Sequence, residues 1–271
     1  MSRRPRLVLK LGGELLEQPQ DVDRVATAIA ALSTRASLVV VHGGGKEIDA
    51  ALATAGIPKQ QVDGLRVTDA RTLDVVVAVL AGAINTRLVA AVRRAGGKPV
   101  GLTGADAAVA TMKRAAPIVS VSGTSVDLGL VGAPVRNGRP QLVHDLLARG
   151  YVPIIACVGA TRRGELLNVN ADTLASHLAG AIGAARLVIA GGTRGVLDES
   201  GQTIDRLTRR DAARLVKSGT ANKGMVAKLQ ACRDALQHGV GDVVIASGRD
   251  VALDTLASAN ASLAGCTQVV R

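Results

Sequence analysis

Two segments place glycines directly after short apolar runs: Lys10-Leu11-Gly12-Gly13 and His42-Gly43-Gly44-Gly45-Lys46. Glycines at the carboxyl end of a parallel strand let the backbone approach a ligand closely, and the N–H groups of the following helix then face an anion. A tight strand-to-helix turn without a ligand would use the same residues. Two such turns at neighbouring strand ends, one of them carrying a lysine, favour an anion site. Neither fits GxxxxGK[ST], and no GxGxxG occurs, so P-loop NTPase and dinucleotide-binding readings are weak.

Two further segments carry polar chemistry. Asn168-Val169-Asn170-Ala171-Asp172 precedes an apolar helical stretch. One Asn or Asp there could simply cap the helix, but three such side chains in five residues exceed what a cap requires. Asn222-Lys223-Gly224-Met225-Val226-Ala227-Lys228 sets Lys228 at the start of a helical stretch through Leu229 and Cys232. A cation at a helix N-terminus opposes the macrodipole. An anion bound between the two would remove the conflict; a solvated surface lysine is the plain alternative.

Composition narrows the function classes. Of 271 residues, 33 are basic and 22 acidic, and 33 − 22 gives a net charge of +11. The excess is 25 Arg and 8 Lys, scattered in runs no longer than pairs such as Arg93-Arg94, Arg162-Arg163 and Arg209-Arg210. A nucleic-acid arm would concentrate them. Tyr151 is the one aromatic residue, which excludes a base-stacking surface, a cation–π cage and an aromatic membrane belt. Cys157, Cys232 and Cys266 are odd in number with no CxxC spacing, so neither a disulfide framework nor a thiolate metal site is indicated. No secretory leader pattern and no uncharged apolar run of spanning length is visible. The sequence reads as a soluble, cytoplasmic protein with no nucleic-acid or membrane partner.

The elements that must position these residues alternate. Apolar runs at residues 7–9, 38–41, 98–103, 152–158, 186–189 and 242–246 are separated by helical periodicities. That pattern predicts an α/β fold with a mainly parallel sheet. Residues 71–95 form the strongest helix, with Leu73, Val76, Val77, Leu80, Ile84, Leu88 and Val92 at spacings of three and four, widened by Val75, Val79 and Ala83. An apolar surface this broad is buried on more than one side, by a subunit interface or by a central position in the fold. Residues 119–135 read as short hairpins beside the sheet. No Pro- or Ser-rich linker interrupts the chain.

Together the motifs resemble the amino-acid kinase superfamily and, within it, the N-acetyl-L-glutamate kinases. The resemblance rests on Lys10 through Gly13, Val41 through Gly45, Gly64-Leu65-Arg66-Val67-Thr68, Asn168 through Asp172, and Gly224-Met225 with Lys228. It implies a three-layer αβα sandwich, with residues 1–180 as a substrate-binding and dimerisation lobe and 181–271 as a nucleotide lobe. It implies ATP-dependent phosphorylation of the γ-carboxylate of N-acetyl-L-glutamate, a step of arginine biosynthesis, with Mg2+ arriving on the nucleotide. Lys10, Lys228 and Asp172 are then catalytic. Gly44, Gly45, Arg66 and Asn168 hold the substrate, with Arg66 as a bidentate fork for a carboxylate. Gly12, Gly13, Gly195, Val196, Leu197 and Asn222 hold the nucleotide, with adenine resting on aliphatic side chains. Already ionised, the acceptor carboxylate needs no general base.

This chain departs from the resemblance in one place. Relatives carry Ser or Thr followed by Asp after the strand at 186–189, whereas here Ala190-Gly191-Gly192-Thr193-Arg194 follows. Arg194 could contact phosphates instead. Six residues before the first strand imply a form without the extra N-terminal helix of arginine-inhibited members, hence an arginine-insensitive homodimer joined through the 71–95 helix. Two other readings share the motifs: a kinase of a related acylated acid such as an aminoadipate, and a non-catalytic ligand sensor.

Overall fold

Five of the six apolar runs become buried strands inside the main sheet, and the run at 98–103 becomes a partly buried edge strand. The computed structural model describes residues 4–120, 123–136, 138–198, 200–217, 223–257 and 265–271. Its main sheet has eight strands: β1 (Arg6–Leu11), β2 (Ser37–His42), β3 (Pro99–Thr103), β4 (Val152–Ala156), β5 (Arg186–Gly191), β6 (Arg206–Thr208), β7 (Asp242–Ser247) and β8 (Thr267–Val270), in the order β6-β8-β7-β5-β1-β2-β4-β3. Every neighbouring pair is parallel except β7 with β8. Lys10 lies opposite Ile189 on one side and Val41 on the other. The β1–β5 pairing joins residues 1–180 and 181–271 in one continuous sheet.

Helices cover both faces and complete the αβα architecture: α1 (Pro19–Arg35), α2 (Gly45–Thr54), α3 (Ala70–Arg94), α4 (Gln141–Ala148), α5 (Ala171–Ala181), α6 (Arg209–Lys217) and α7 (Lys223–Gln237). In α1 a Pro stands at the first turn, and Val22, Val25, Ala26, Ile29 and Leu32 form the buried stripe. Asp69 caps α3 by accepting the Thr72 N–H at 2.7 Å. From Ala78 to Ile84 this helix widens into a π-helical turn. Leu73, Val76, Leu80, Ile84, Leu88 and Val92 face the core, while Ala78, Gly82, Ala83 and Ala90 are exposed. By length and composition α3 could cross a membrane, a feature that a search for uncharged runs alone passes over because Asp74 interrupts it. Its core face is built into the sheet's helical layer.

Residues 119–135 depart from expectation. They hold one short hairpin, Ile118–Val119 with Ser125–Val126, and then a strand of a closed four-stranded barrel made by Thr111–Arg114, Val131–Pro134, Val158–Thr161 and Leu166–Val169. The run at 152–158 divides at Cys157, with β4 before it and a barrel strand after it. A further hairpin, Gln61–Val62 with Leu65–Arg66, turns through Asp63 (φ 50°) and Gly64 (φ 82°). Two successive residues of positive φ suit a tight hairpin turn and favour Asp-Gly there.

The glycine turns are also packing devices. A Cβ on Gly13 would lie 2.9 Å from the Gly44 Cα, and a Cβ on Gly44 would overlap Ile84 Cδ1 and sit 2.9 Å from Leu80 Cδ2. The two turns therefore touch, with the π turn of α3 beneath the second. Gly44→Ala should lower the unfolding free energy by about 1–3 kcal/mol through overpacking. Adding Ile84→Val, which deletes the offending Cδ1, should restore part of that loss in a denaturant titration. A Gly44→Ala chain as stable as wild type would show that the contact is loose.

Candidate active site

Ligands of open α/β sheets bind beyond the carboxyl ends of strands where the winding direction reverses. Here the chain winds from β1 towards β2 on one side and from β5 towards β7 on the other, so that point lies at the ends of β1, β2 and β5. Lys10 stands there on β1, buried, with its ammonium 2.9 Å from Asp172 Oδ1. Lys228 reaches the other oxygen, Oδ2, at 3.7 Å from the first turns of α7. Asp172 enters from the first turn of α5, whose cap is Asn170: its side chain accepts the N–H groups of Asp172 at 2.9 Å and Thr173 at 3.1 Å. The capping alternative thus describes Asn170, leaving Asn168 and Asp172 for other tasks.

Burial disfavours charge on both partners, but pairing wins. The Asp172 carboxylate, with a smaller contribution from Glu14, holds the Lys10 ammonium above the ordinary lysine value. Lys10 and Lys228 hold the Asp172 carboxyl below the ordinary aspartate value. Lys10 and Asp172 are thereby held in charged form at a glycine-lined sheet edge, with Lys228 beside the same carboxylate. Such an array stabilises negative charge that spreads over a transferring phosphoryl group.

The glycines divide by task. The Gly12 N–H, expected to face phosphate, is committed to the Ala190 carbonyl at 2.8 Å and extends the β1–β5 ladder. Gly13 and Gly44 bring the two turns together. Gly45 opens α2, and its carbonyl accepts Arg66 Nη2 at 3.2 Å. Arg66 itself corrects the expectation of a free bidentate fork. It is buried, its Nη2 is also paired with Asp49, and its Nη1 is buried with no partner among the described residues. One nitrogen is thus engaged by the protein while the other lacks an acceptor. Asn168 donates to Thr68 Oγ1 at 3.1 Å, which ties the barrel to the Arg66 hairpin segment.

The nucleotide residues are only partly as expected. Gly195, Val196 and Leu197 line a cavity of about 530 Å³ together with Gly192, Leu215 and Met225. Leu197 is about half exposed there, whereas Val196 is buried in the core and its N–H donates to Thr267 Oγ1 at 2.8 Å. A Cβ on Gly195 would lie 2.5 Å from that same hydroxyl, so this glycine serves close packing. Arg194 lines the same cavity and pairs with Asp250 at 3.2 Å at an exposed position. Asn222 lies outside the described residues. Among the described residues no three His, Cys, Asp or Glu side chains are grouped to hold a metal.

Sequence reasoning missed Glu14, Asp49 and Asn85, and gave Thr68 no role beyond its place in a motif. Asp49 is one α-helical turn after Gly45, a spacing that places both on the same face of α2. Asn85 is the first regular α-helical residue after the π turn. Its amide donates to the Ile154 carbonyl at 2.9 Å and to His42 Nε2 at 3.0 Å. His42 Nδ1–H therefore donates to the Gly43 carbonyl at 3.1 Å, fixing a neutral tautomer at the base of the second glycine turn. The Cys157 thiol donates to the His42 carbonyl.

A parallel sheet that presents two carboxylate-bridged lysines and two touching glycine turns at one edge defines a small-molecule phosphotransferase. Residues 5–247 match the amino acid kinase family, and the chain belongs to it. It is 41% identical to the acetylglutamate kinase of Solibacter usitatus, over 90% of this chain and 91% of that one, and 38% identical to that of Bradyrhizobium diazoefficiens, over 90% and 84%. Among solved structures, an N-acetylglutamate synthase from Neisseria gonorrhoeae complexed with coenzyme A and N-acetyl-glutamate shares the fold. Its TM-score is 0.82 at 24% identity, covering 99% of this chain and 60% of that chain. Carbamate kinase from Giardia lamblia bound to AMP-PNP superposes with a TM-score of 0.67 at 16% identity over the whole of both chains.

Burial lowers the His42 pKa from 6.5 to about 4; the Gly43 hydrogen bond opposes this and Arg87 adds to it. Between those values the unfolded imidazole takes up a proton that the folded one refuses, so this group costs stability as the pH falls, by up to about 3 kcal/mol. The stability gap between wild type and His42→Asn should narrow as the pH is lowered from 6.5 to about 4. A gap that stays constant in urea titrations across that window would mean that His42 is not held neutral.

Proposed function

We propose that the chain transfers the γ-phosphoryl group of ATP to the γ-carboxylate of N-acetyl-L-glutamate, giving N-acetyl-L-glutamyl 5-phosphate and ADP, a step of arginine biosynthesis. The observation that carries this reading is the pair of ammonium groups, Lys10 and Lys228, sharing Asp172 beside two glycine turns. An acceptor oxygen of the substrate carboxylate bonds to the γ-phosphorus as the bond to the β–γ bridging oxygen breaks, and the electron pair leaves on ADP. No proton moves, so no base is required, and His42 is neutral, buried and fully hydrogen-bonded.

Each residue has a place in that step. Lys10 neutralises the equatorial oxygens of the moving phosphoryl group, and Lys228 the bridging oxygen and departing ADP. Asp172 fixes the direction of both. Arg66 Nη1 receives a carboxylate of the acyl amino acid, and Asn168 its amide end. Residues 1–180 hold this substrate and 181–271 the nucleotide, whose nucleoside end enters the cavity lined by Leu197 and Met225. Mg2+, carried on the phosphates, neutralises part of their charge when bound. The small residues exposed along α3 let a second copy pack closely, forming a homodimer, and the protein works in the cytoplasm.

Lys10→Ala and Lys228→Ala should each reduce kcat/KM by about 10²–10³, the loss seen when one preorganised donor is removed. Arg66→Lys should instead raise the KM for N-acetyl-L-glutamate by about tenfold with little change in kcat, because an ammonium cannot reach both Gly45 and the substrate as a planar fork does. A coupled ADP-release assay over a panel of acylated acids reads both. Full turnover by both lysine variants, or preference for an acylated aminoadipate, would overturn the assignment.

A further inference from the structure

Glu14 is used by none of the steps above, yet it is bonded to Gly192, one of the residues lining the cavity proposed for the nucleotide. It follows Gly13 in a single 3-10 turn, Gly13–Leu15. Its Oε1 accepts the Gly192 N–H at 2.7 Å, across the cleft from β1 to the loop after β5. Its backbone carbonyl accepts Arg249 Nη2 at 2.9 Å from the loop after β7. One residue thus ties together the ends of three strands.

Two glycines make room for it. A Cβ on Gly12 would overlap the Glu14 carboxylate, and one on Gly191 would lie 3.0 Å from Oε1, whereas one on Gly192 would meet Cγ and Oε1 at an ordinary 3.6 Å. The Gly191 position is also 3.9 Å from Lys228 Cε, and Gly192 lines the cavity with Leu197 and Met225. The carboxylate therefore stands at the junction between the two lysines and that cavity. It acts electrostatically on Lys10 as well.

We infer that Glu14 is a positioning residue for nucleotide binding: from the β1 turn it orders the Gly191-Gly192 loop through the Gly192 N–H, and its carboxylate lies where a side chain on Gly191 would crowd it. A Gly-Gly pair has wide conformational freedom. One charge-assisted hydrogen bond to its second amide removes much of that freedom before the ligand arrives, which lowers the ordering cost of binding. The inference rests on the kinase reading only for the identity of the ligand.

Calorimetric titration with AMP-PNP and Mg2+, and separately with N-acetyl-L-glutamate, tests it without turnover. Glu14→Ala should weaken AMP-PNP about tenfold, the effect of losing one hydrogen bond to a charged group, while N-acetyl-L-glutamate affinity stays within about twofold. Glu14→Gln should bind AMP-PNP nearly as wild type, because its side-chain carbonyl accepts the same N–H. Gly191→Ala should also weaken AMP-PNP, and the double variant Glu14→Ala with Gly191→Ala should be no weaker than the worse single one, a non-additive cycle. The inference falls if Glu14→Ala binds AMP-PNP as tightly as wild type or more tightly. It falls equally if Glu14→Gln is as weak as Glu14→Ala, or if the cycle is additive. Wild type that binds no AMP-PNP at all would overturn the kinase reading together with this one.

Discussion

The architecture depends on a single buried carboxylate. Asp172 can be ionised in the interior because Lys10 and Lys228 flank it, and Lys10 is acceptable there because Asp172 is present. Unpaired, Asp172 or Lys10 would carry a desolvation penalty of several kcal/mol. The three come from β1, α5 and α7, so the charge requirement fixes two helices relative to the middle strand of the sheet. The chemistry inherits this geometry: the ammonium groups are aimed before any phosphate arrives, so little reorganisation accompanies the reaction.

A second constraint is the lack of space where the strand ends converge. Gly13 meets Gly44, Gly44 meets Ile84, and Gly195 meets Thr267. Glycine in this protein is as much a means of bringing backbones together as a means of approaching a ligand. The first use creates the second, because turns packed this tightly leave no room for side chains to cover the cleft. The buried Asn85–His42 pair adds rigidity from below, and it does so with neutral groups, which avoids placing another charge beside the lysines.

The sheet was legible because parallel strands covered on both faces leave apolar runs, and each of the six runs supplies a strand of the main sheet, the one at 152–158 continuing into the barrel. The two glycine turns were legible because they end two of those runs. Less visible were elements without such a signature. The four-residue barrel strands carry glycine and polar residues at positions that look like turns, and their pairing is decided by contacts between distant segments. The π turn in α3 leaves no mark in a sequence periodic enough to pass for continuous α-helix. Site residues divided similarly. Lys10, Asp172 and Lys228 belong to motifs and could be named, whereas Glu14 and Asp49 act through neighbours that only folding supplies. For Arg194 and Val196 folding adds partners that the sequence does not show, Asp250 for the first and Thr267 for the N–H of the second, beside the cavity that both line.

The electrostatics of the cleft also explain why the net charge of +11 says little about the function. Lys10 and Lys228 face Asp172, Arg66 faces Asp49, and Glu14 lies on the Gly192 amide. Among the described residues these three cations are accompanied by three carboxylates, with Lys59 sharing Asp49. Anion binding here depends on where the charges stand as well as on their sum. Each carboxylate weakens the raw attraction for phosphate but holds its cation, or its loop, at the one location where transition-state charge develops. Low-dielectric surroundings magnify that local interaction, while the scattered surface arginines act through water and are screened within about 8–10 Å at physiological salt. A few oriented charges therefore dominate the chemistry over many unoriented ones.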